Sequence, residues 1–364
     1  MKSISNKVRL KNRSYSIIIG SNILTGLSKQ ITKLKIGNDA IIITNTYLKN
    51  KYANKLTKGL RKNGFSVKEF IVPDSEKAKS FTQINKILTA ISAYDKDKRL
   101  FIIALGGGVV GDLSGFIASV YKRGVPYIQV PTTLLAQIDS SIGGKTAINL
   151  AVGKNLIGAF YQPKLVICDV NLLMSLKKRD LLSGLGETIK YAVIKDRKFF
   201  KYLEDNIKKI LSFKTDALIK IVNRCSKIKS DIISADEKEE KSIRTILNFG
   251  HTIGHAIEAA SSYDKYRHGE AITLGMLCAI ELSHRLGILN KKDSERIETL
   301  IKKVGLPTKI KGLSLEKIIN AYYHDKKFIG KTNRFVLTSG IGKTVIKKNI
   351  PLALVKEVIK KRLF

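Results

Sequence analysis

Acidic residues are scarce in this chain. Thirty Asp and Glu stand against 66 Lys and Arg over 364 residues, a formal charge of +36, with no tryptophan, three cysteines, six prolines and five histidines. Each shortage excludes something. Cys168, Cys225 and Cys278 are far apart, lie in apolar surroundings and form no Cys-x-x-Cys pair, which argues for reduced structural thiols and against a disulfide scaffold. No uninterrupted apolar run reaches the ~20 residues of a membrane-spanning helix, and the lysine-rich start has no hydrophobic stretch behind it. These absences predict a soluble cytoplasmic protein with no membrane partner. The charge at face value suggests a nucleic-acid binder. Its lysines, however, are spread over the whole length, and no basic block is interleaved with aromatics in the manner of a helix-turn-helix, zinc-finger or single-strand-binding module. No nucleic-acid partner is therefore expected, although a basic surface still draws in an anionic substrate.

What is present is periodicity of two kinds. Single cores stop growing near ~250–300 residues, so this length allows two domains. Short β-branched runs at 15–19, 40–44, 65–72, 100–105, 127–130 and 165–168 alternate with helical spacing at 22–34, 47–62 and 81–94, which implies a parallel α/β sheet. After Val170 helical spacing dominates, at 180–194, 199–211, 216–234, 245–260, 270–286, 294–304 and 315–323, with a short late strand at 334–337. The predicted organisation is a Rossmann-like α/β domain over 1–170 and a mostly helical domain over 171–364. The active site is expected in the cleft between them.

Three of the five histidines fall in one stretch. His251 and His255 stand four apart, so a helix turns both rings to one face, as a divalent ion requires of two imidazoles. His268 can return from the following loop as a third ligand, and Glu187, in Gly-Leu-Gly-Glu-Thr-Ile-Lys-Tyr, is the best acid for a catalytic site that keeps one position open. In the first domain the strand at 100–105 runs into Gly106-Gly-Gly-Val-Val-Gly-Asp112. That string satisfies G-x-G-x-x-G and opens a helix, where glycines let a pyrophosphate approach the positive helix end. It lacks the acid about 20 residues on that usually meets a ribose. Gly143-Gly-Lys-Thr146 fails the phosphate-loop spacing because position 139 is Asp. With Tyr121-Lys-Arg-Gly124, Pro131-Thr-Thr133 and Gly153-Lys-Asn155, it still makes an anion pocket with a proton-handling carboxylate.

Taken together, the triple-glycine string, Pro131 to Lys145, Gly153 to Pro163, Glu187-Thr-Ile-Lys190, Asn248-Phe-Gly-His-Thr-Ile-Gly-His255 and His268-Gly-Glu270 closely resemble the 3-dehydroquinate synthase family, over about residues 14–343. The resemblance implies a lyase that uses NAD and zinc, or cobalt in its place. Its substrate is a sugar phosphate, 3-deoxy-D-arabino-heptulosonate 7-phosphate, which becomes 3-dehydroquinate and phosphate in the shikimate route to aromatic amino acids. Transient oxidation, phosphate elimination, re-reduction, ring opening and aldol closure are the implied steps, in a homodimer.

That resemblance puts the metal ligands on Glu187, His251 and His268 and turns His255 toward substrate, which revises the pairing of His251 with His255. Catalytic roles fall on Lys190, His255, Asp139 and Lys145. Substrate contacts fall on Arg123, Asn155, Lys229, Arg244, Asn248, Lys326 and Lys327, with Arg123 offered across a subunit interface. Cofactor contacts fall on Asp74, Ser75, Glu76, Lys77, Ala78, Lys79, Gly106, Gly107, Gly108, Val109, Val110, Gly111, Asp112, Thr132, Thr133, Lys145, Lys154, Leu172, Leu173, Met174 and Ser175. Three departures from the family pattern stand out. The 74–79 segment replaces Asp-Gly-Glu-Gln-Tyr-Lys, one extra residue lies around Glu239 to Ser242, and Gly186 takes the place of a commoner Ala, a change expected to be tolerated. The nearest rivals are a cyclase making an inosose or valiolone-type ring and a metal-dependent alcohol dehydrogenase. Arg244 and Lys229, as carboxylate partners, favour the dehydroquinate reading.

Overall fold

The computed structural model describes residues 3–150, 152–324 and 333–364. They form two compact units, one running through Leu176 and including Leu218–Lys238, the other comprising Lys177–Ala217 and Glu239–Phe364.

The first unit is built on a seven-stranded sheet of order β1-β2-β9-β6-β5-β3-β4. Its strands are β1 (Ile4–Val8), β2 (Tyr15–Gly20), β3 (Asp39–Asn45), β4 (Ser66–Val72), β5 (Leu100–Gly106), β6 (Tyr127–Pro131) and β9 (Leu165–Asp169). All neighbours run parallel except the edge pair β1–β2. Helices α1 (Leu27–Leu34), α2 (Thr46–Leu48) and α3 (Asn54–Lys62), the last two joined by a π-helical stretch at Lys49–Ala53, alternate with the strands, as do α4 (Phe81–Tyr94) and α5 (Gly108–Val120). The near-continuous apolar runs of β3 and β5 follow from burial on both faces. Ile41, Ile43, Ile102 and Ala104 join one core, while Ala40, Ile42, Phe101, Ile103 and Leu105 join the other. A strand points successive side chains to opposite faces, so each alternate residue serves a different helix layer. A hairpin of β7 (Lys145–Leu150) and β8 (Gly153–Phe160) adds a small second sheet.

The second unit holds α6 (Lys178–Lys195), α7 (Arg197–Leu211), α9 (His251–Ala260), α10 (His268–Arg285), α11 (Lys291–Val304), α12 (Leu315–His324) and α13 (Leu352–Arg362), with a hairpin of β10 (Arg334–Gly340) and β11 (Lys343–Lys348). Through most of their length α6 and α10 are buried on every side. Apolar residues all round are the ordinary content of such helices, so the buried Glu187 and Lys190 stand out. Among the described residues no helix is long and apolar enough to cross a membrane.

The six predicted strands of the first region and the helix at 81–94 are present, and three expectations are corrected. A boundary after Val170 misplaces α8 (Thr215–Ala235), which from Leu218 onward belongs with the first unit. Asn6 on edge strand β1 donates to Asn223 and Ser226, and Ser234 accepts from the Arg9 amide, so this helix closes the sheet edge. The helix expected at 245–260 is broken. A 3-10 turn at Arg244–Asn248 ends at Gly250, whose φ of 78° is left-handed, and α9 starts afresh at His251. A Cβ at Gly250 would lie 2.5 Å from Met276 on α10, so glycine serves both the turn and the packing. Finally, His268 is the first residue of α10 and not part of a loop.

Candidate metal centre and cofactor loops

In the second unit three elements bring one carboxylate against two imidazoles. Glu187 lies in mid-α6 with no exposed side-chain surface, and its Oε1 is 3.7 Å from His251 Nε2 and 3.7 Å from His268 Nε2. These separations are too long for hydrogen bonds. Ligands around a tetrahedral ion at ~2.0–2.2 Å stand roughly 3.3–3.6 Å apart, so the spacing suits donors that share one ion. The outer ring nitrogens complete the test of fit. His251 Nδ1 lies 3.1 Å from the Phe249 carbonyl oxygen, and His268 Nδ1 lies 3.1 Å from Glu258 Oε1. With both protons on Nδ1, each Nε2 turns its lone pair toward Glu187, which is the tautomer an ion selects. The donor set therefore fits a divalent metal.

Electrostatics sharpen this arrangement. Lys190, one turn along α6, pairs with the other oxygen of Glu187 inside the same buried volume. Burial works against a charge on His268, but Glu258 and then Glu187 outweigh it and push the imidazole up to about 9, with Lys190 opposing them, so the lone pair on Nε2 is the one a divalent ion frees by displacing a proton. His255 shares the face of α9 with His251, its ring 5.2 Å from that of His251 and 6.2 Å from that of His268. His255, Glu258 and His268 also form a second group of mutually close donors. Glu258, whose carboxylate meets His268, was passed over by sequence reasoning. The signal was its position seven residues after His251 and three after His255, on one helical face. Arg244, 3% exposed, opens the 3-10 turn with its Nε 3.1 Å from Glu239 Oε1, and half-buried Asn248 closes it. The extra residue falls where Glu239 and Ser242 both adopt positive φ. Lys326 and Lys327 lie outside the described residues.

In the first unit β5 delivers Gly106 and Gly107 to the start of α5, and no side chain caps that helix among the described residues. The first internal bond runs from the Gly111 amide to the Gly107 carbonyl, so the amides of Gly108, Val109 and Val110 precede it. They form the positive end at which phosphates bind. A Cβ on Gly107 would come within 3.1 Å of Thr133, and one on Gly108 within 3.1 Å of Ser140 Oγ. The cradle is one that side chains would fill, and its donors fit a dinucleotide pyrophosphate.

Beside it a polar cluster gathers several predicted residues. Lys79, 3% exposed, donates to Asp112 Oδ2 at 2.7 Å and also to Asn155 Oδ1, while Glu76 accepts from Asn149 and lies 4.0 Å from Lys154. Burial holds the Asp112 carboxyl above its usual range, with Lys79 pulling the other way. The departed 74–79 segment forms a 3-10 turn at Glu76–Ala78, and Asp74 accepts from Asn45 at 2.6 Å. Ser75 is extended, Lys77 is exposed and Ala78 is buried. Lys229 on α8 pairs with Asp139 and donates to its carbonyl at 2.8 Å. Lys145 opens β7, and Thr132 is tied to β5 by the hydrogen bond its amide donates to the Gly106 carbonyl. Leu172 and Leu173 are buried, leaving Met174 as the exposed side chain of the Val170–Ser175 turn. Arg123 is exposed on the turn after α5, where the carboxylate of Asp95 holds Tyr121 at 2.8 Å and Lys122 at 2.5 Å.

The parallel α/β unit with its uncapped glycine helix start and the helical unit with its Glu/His/His set have the fold of the sugar phosphate cyclases. The fold matches 2-deoxy-scyllo-inosose synthase, solved with carbaglucose-6-phosphate, NAD+ and Co2+, at a TM-score of 0.90 and 27% identity over 99% of this chain and 100% of that one. It also matches the 2-epi-5-epi-valiolone synthase ValA of Streptomyces hygroscopicus subsp. jinggangensis 5008, solved with NAD+ and Zn2+, at a TM-score of 0.87 and 24% identity over 97% and 98% of the two chains.

The chain belongs to the 3-dehydroquinate synthase family. The family's N-terminal profile matches residues 69–183 and its C-terminal profile residues 184–328. The 3-dehydroquinate synthases of Desulforamulus reducens and Thermodesulfovibrio yellowstonii are each 44% identical over 354 residues, covering 97% of this chain and 98% of theirs.

Proposed function

We propose that this protein is a 3-dehydroquinate synthase, a lyase that converts 3-deoxy-D-arabino-heptulosonate 7-phosphate to 3-dehydroquinate and phosphate with no net oxidation. The observation that carries this reading is the buried Glu187 carboxylate facing two imidazole Nε2 atoms whose Nδ1 protons are tied outward. Glu187, His251 and His268 hold the divalent ion, zinc or cobalt, and the start of α5 holds NAD. When bound, these groups supply a Lewis acid for vicinal hydroxyls and a reversible hydride acceptor.

The chain's own residues then orient a substrate with two anionic ends. Arg244 and Lys229 grip the carboxylate. Lys145, Asn248, Arg123 and one of Lys326 or Lys327 hold the phosphate, since two anions need separate cationic clamps. His255 and Lys190 flank the reacting carbons, where proton transfer must be guided, and Asp139 accepts hydrogen bonds from the substrate. Elimination, ring opening and aldol closure need a pocket that holds one conformer and excludes water more than they need another strong catalyst. The reading includes a cytoplasmic homodimer in which Arg123 acts on the neighbouring subunit's substrate, with no nucleic-acid or membrane partner.

The deciding experiment incubates purified protein with the heptulosonate phosphate and follows phosphate release with and without NAD, and with and without a chelator. Release that needs NAD and is abolished by the chelator supports the reading. Release that needs no NAD and survives the chelator overturns it, and faster turnover of a hexose phosphate that lacks the carboxylate overturns the carboxylate assignments.

A further inference from the structure

The two imidazoles of the metal centre are held by unlike partners. His251 rests on a main-chain carbonyl, that of Phe249, which no side-chain substitution removes. His268 rests on a side chain, Glu258, whose Oε1 lies 3.1 Å from Nδ1 and whose carboxylate is only 13% exposed. Glu258 stands on α9 and His268 begins α10, so this contact also ties together the two helices that carry the imidazole ligands. Inside the cluster Lys190 offsets the charge of Glu187. A second carboxylate behind His268 adds negative charge on the side from which an ion is held, and makes the imidazole a stronger donor.

We propose that Glu258 is a positioning residue that sets the affinity of the divalent-ion site by orienting His268 and polarising its ring. This rests on the reading that Glu187, His251 and His268 hold the ion. Glu258 itself is placed outside the ligand set, because its carboxylate meets the ring nitrogen that faces away from Glu187.

Gln and Leu have similar volumes and separate the two roles such a residue can play. Glu258→Gln keeps an acceptor oxygen for Nδ1 and removes the charge, whereas Glu258→Leu removes both. Zinc dissociation constants of the stripped and reloaded proteins, measured by competition with a chromophoric chelator, should rise about 10-fold for Gln and about 100-fold for Leu. The visible spectrum of the cobalt-loaded Leu variant should shift as His268 leaves its orientation. Glu258→Asp retains charge but withdraws it by one methylene, and should fall between wild type and Leu, which keeps the test open if Leu fails to fold. Equal affinities for wild type, Gln and Asp overturn the proposal, as does weakening by Leu and Asp with Gln like wild type and cobalt spectra unchanged, the result expected of mere packing. Glu187→Ala serves as the reference. If it retains zinc, the metal reading itself fails. If it loses zinc while the Glu258 variants bind like wild type, only the present inference fails.

Discussion

The two units handle buried acid in different ways. In the first, Asp112 meets the ammonium of Lys79 and Asp139 meets that of Lys229, so the protein supplies the cation from its own side chains. In the second, Glu187 has Lys190 on one oxygen but presents the other to two imidazoles fixed with their lone pairs inward. That half of the site is built to receive a cation. A lysine gives a point charge on a flexible stem, and a carboxylate with two neutral imidazoles gives a directional cage. The contrast teaches that an acid paired only with lysine has its charge met by the chain, whereas an acid that also faces two imidazoles keeps a place for an added cation.

The largest expected effect breaks the cage. Glu187→Ala should remove stoichiometric zinc, a loss greater than the ~100-fold that deleting an outer partner costs. Elemental analysis that finds full metal content, with activity retained, would end the distinction drawn between the two units. Next comes Arg244, the proposed carboxylate anchor in the second unit. Arg244 is nearly buried and already engages the carboxylate of Glu239, which shows that its guanidinium takes a carboxylate in this setting. Charge-assisted hydrogen bonds contribute about 1.5–3 kcal/mol, so Arg244→Ala should lower kcat/KM about 10- to 100-fold. A steady-state curve like that of wild type rejects the role.

The same contrast can be tested from the lysine side. Removing one partner of a buried ion pair costs about 3–5 kcal/mol. Asp112 keeps about a fifth of its side-chain exposure, which places Lys79→Met near the low end, about 3 kcal/mol, read from urea unfolding at unchanged m-value. Adding Asp112→Asn should restore part of the loss, because no ionised acid is then stranded. A double variant no more stable than the single one would show that Lys79 acts mainly through Asn155 and the turn at Glu76.

How much of this was legible before the fold was known follows from the same physics. Strands buried on both faces announce themselves as β-branched runs, and β3 and β5 were therefore found within a residue or two. Helical spacing and the scarcity of histidine singled out His251, His255, His268 and Glu187 but paired His251 with His255, and only the family resemblance put the ligands on Glu187, His251 and His268. Glu258 was passed over, because spacing puts it on the helical face of His251 and His255 but does not encode its meeting with the His268 ring nitrogen at the start of α10. The break at Gly250 was missed for a related reason. A glycine in an apolar periodic stretch is ambiguous locally, and the close approach of Met276 is what demands it there. The placement of α8 with the first unit rests on hydrogen bonds to Asn6, more than 200 residues away in sequence.

The smallest expected effect concerns the spacing of the cage. Gly186, next to Glu187 on α6, faces Gly269, next to His268 on α10. A Cβ at 186 would lie 2.6 Å from the Gly269 carbonyl oxygen and 2.8 Å from Thr273 Oγ1, while Gly269 donates to Ser183 Oγ at 3.0 Å. Ala is favoured over Gly inside a helix by about 1 kcal/mol. Against it stands a main-chain atom that cannot rotate away, and forced overpacking costs about 1–3 kcal/mol. Gly186→Ala should therefore lose about 1 kcal/mol net, a fall in Tm of about 2–4 °C. It should also weaken zinc binding by less than the ~10-fold lower bound for losing an outer partner, since both ligands shift by tenths of an ångström and neither is removed. Calorimetry that shows Ala raising Tm with zinc affinity unchanged would mean that α6 and α10 separate freely, and that the cage owes its dimensions to its hydrogen bonds rather than to the glycine crossing.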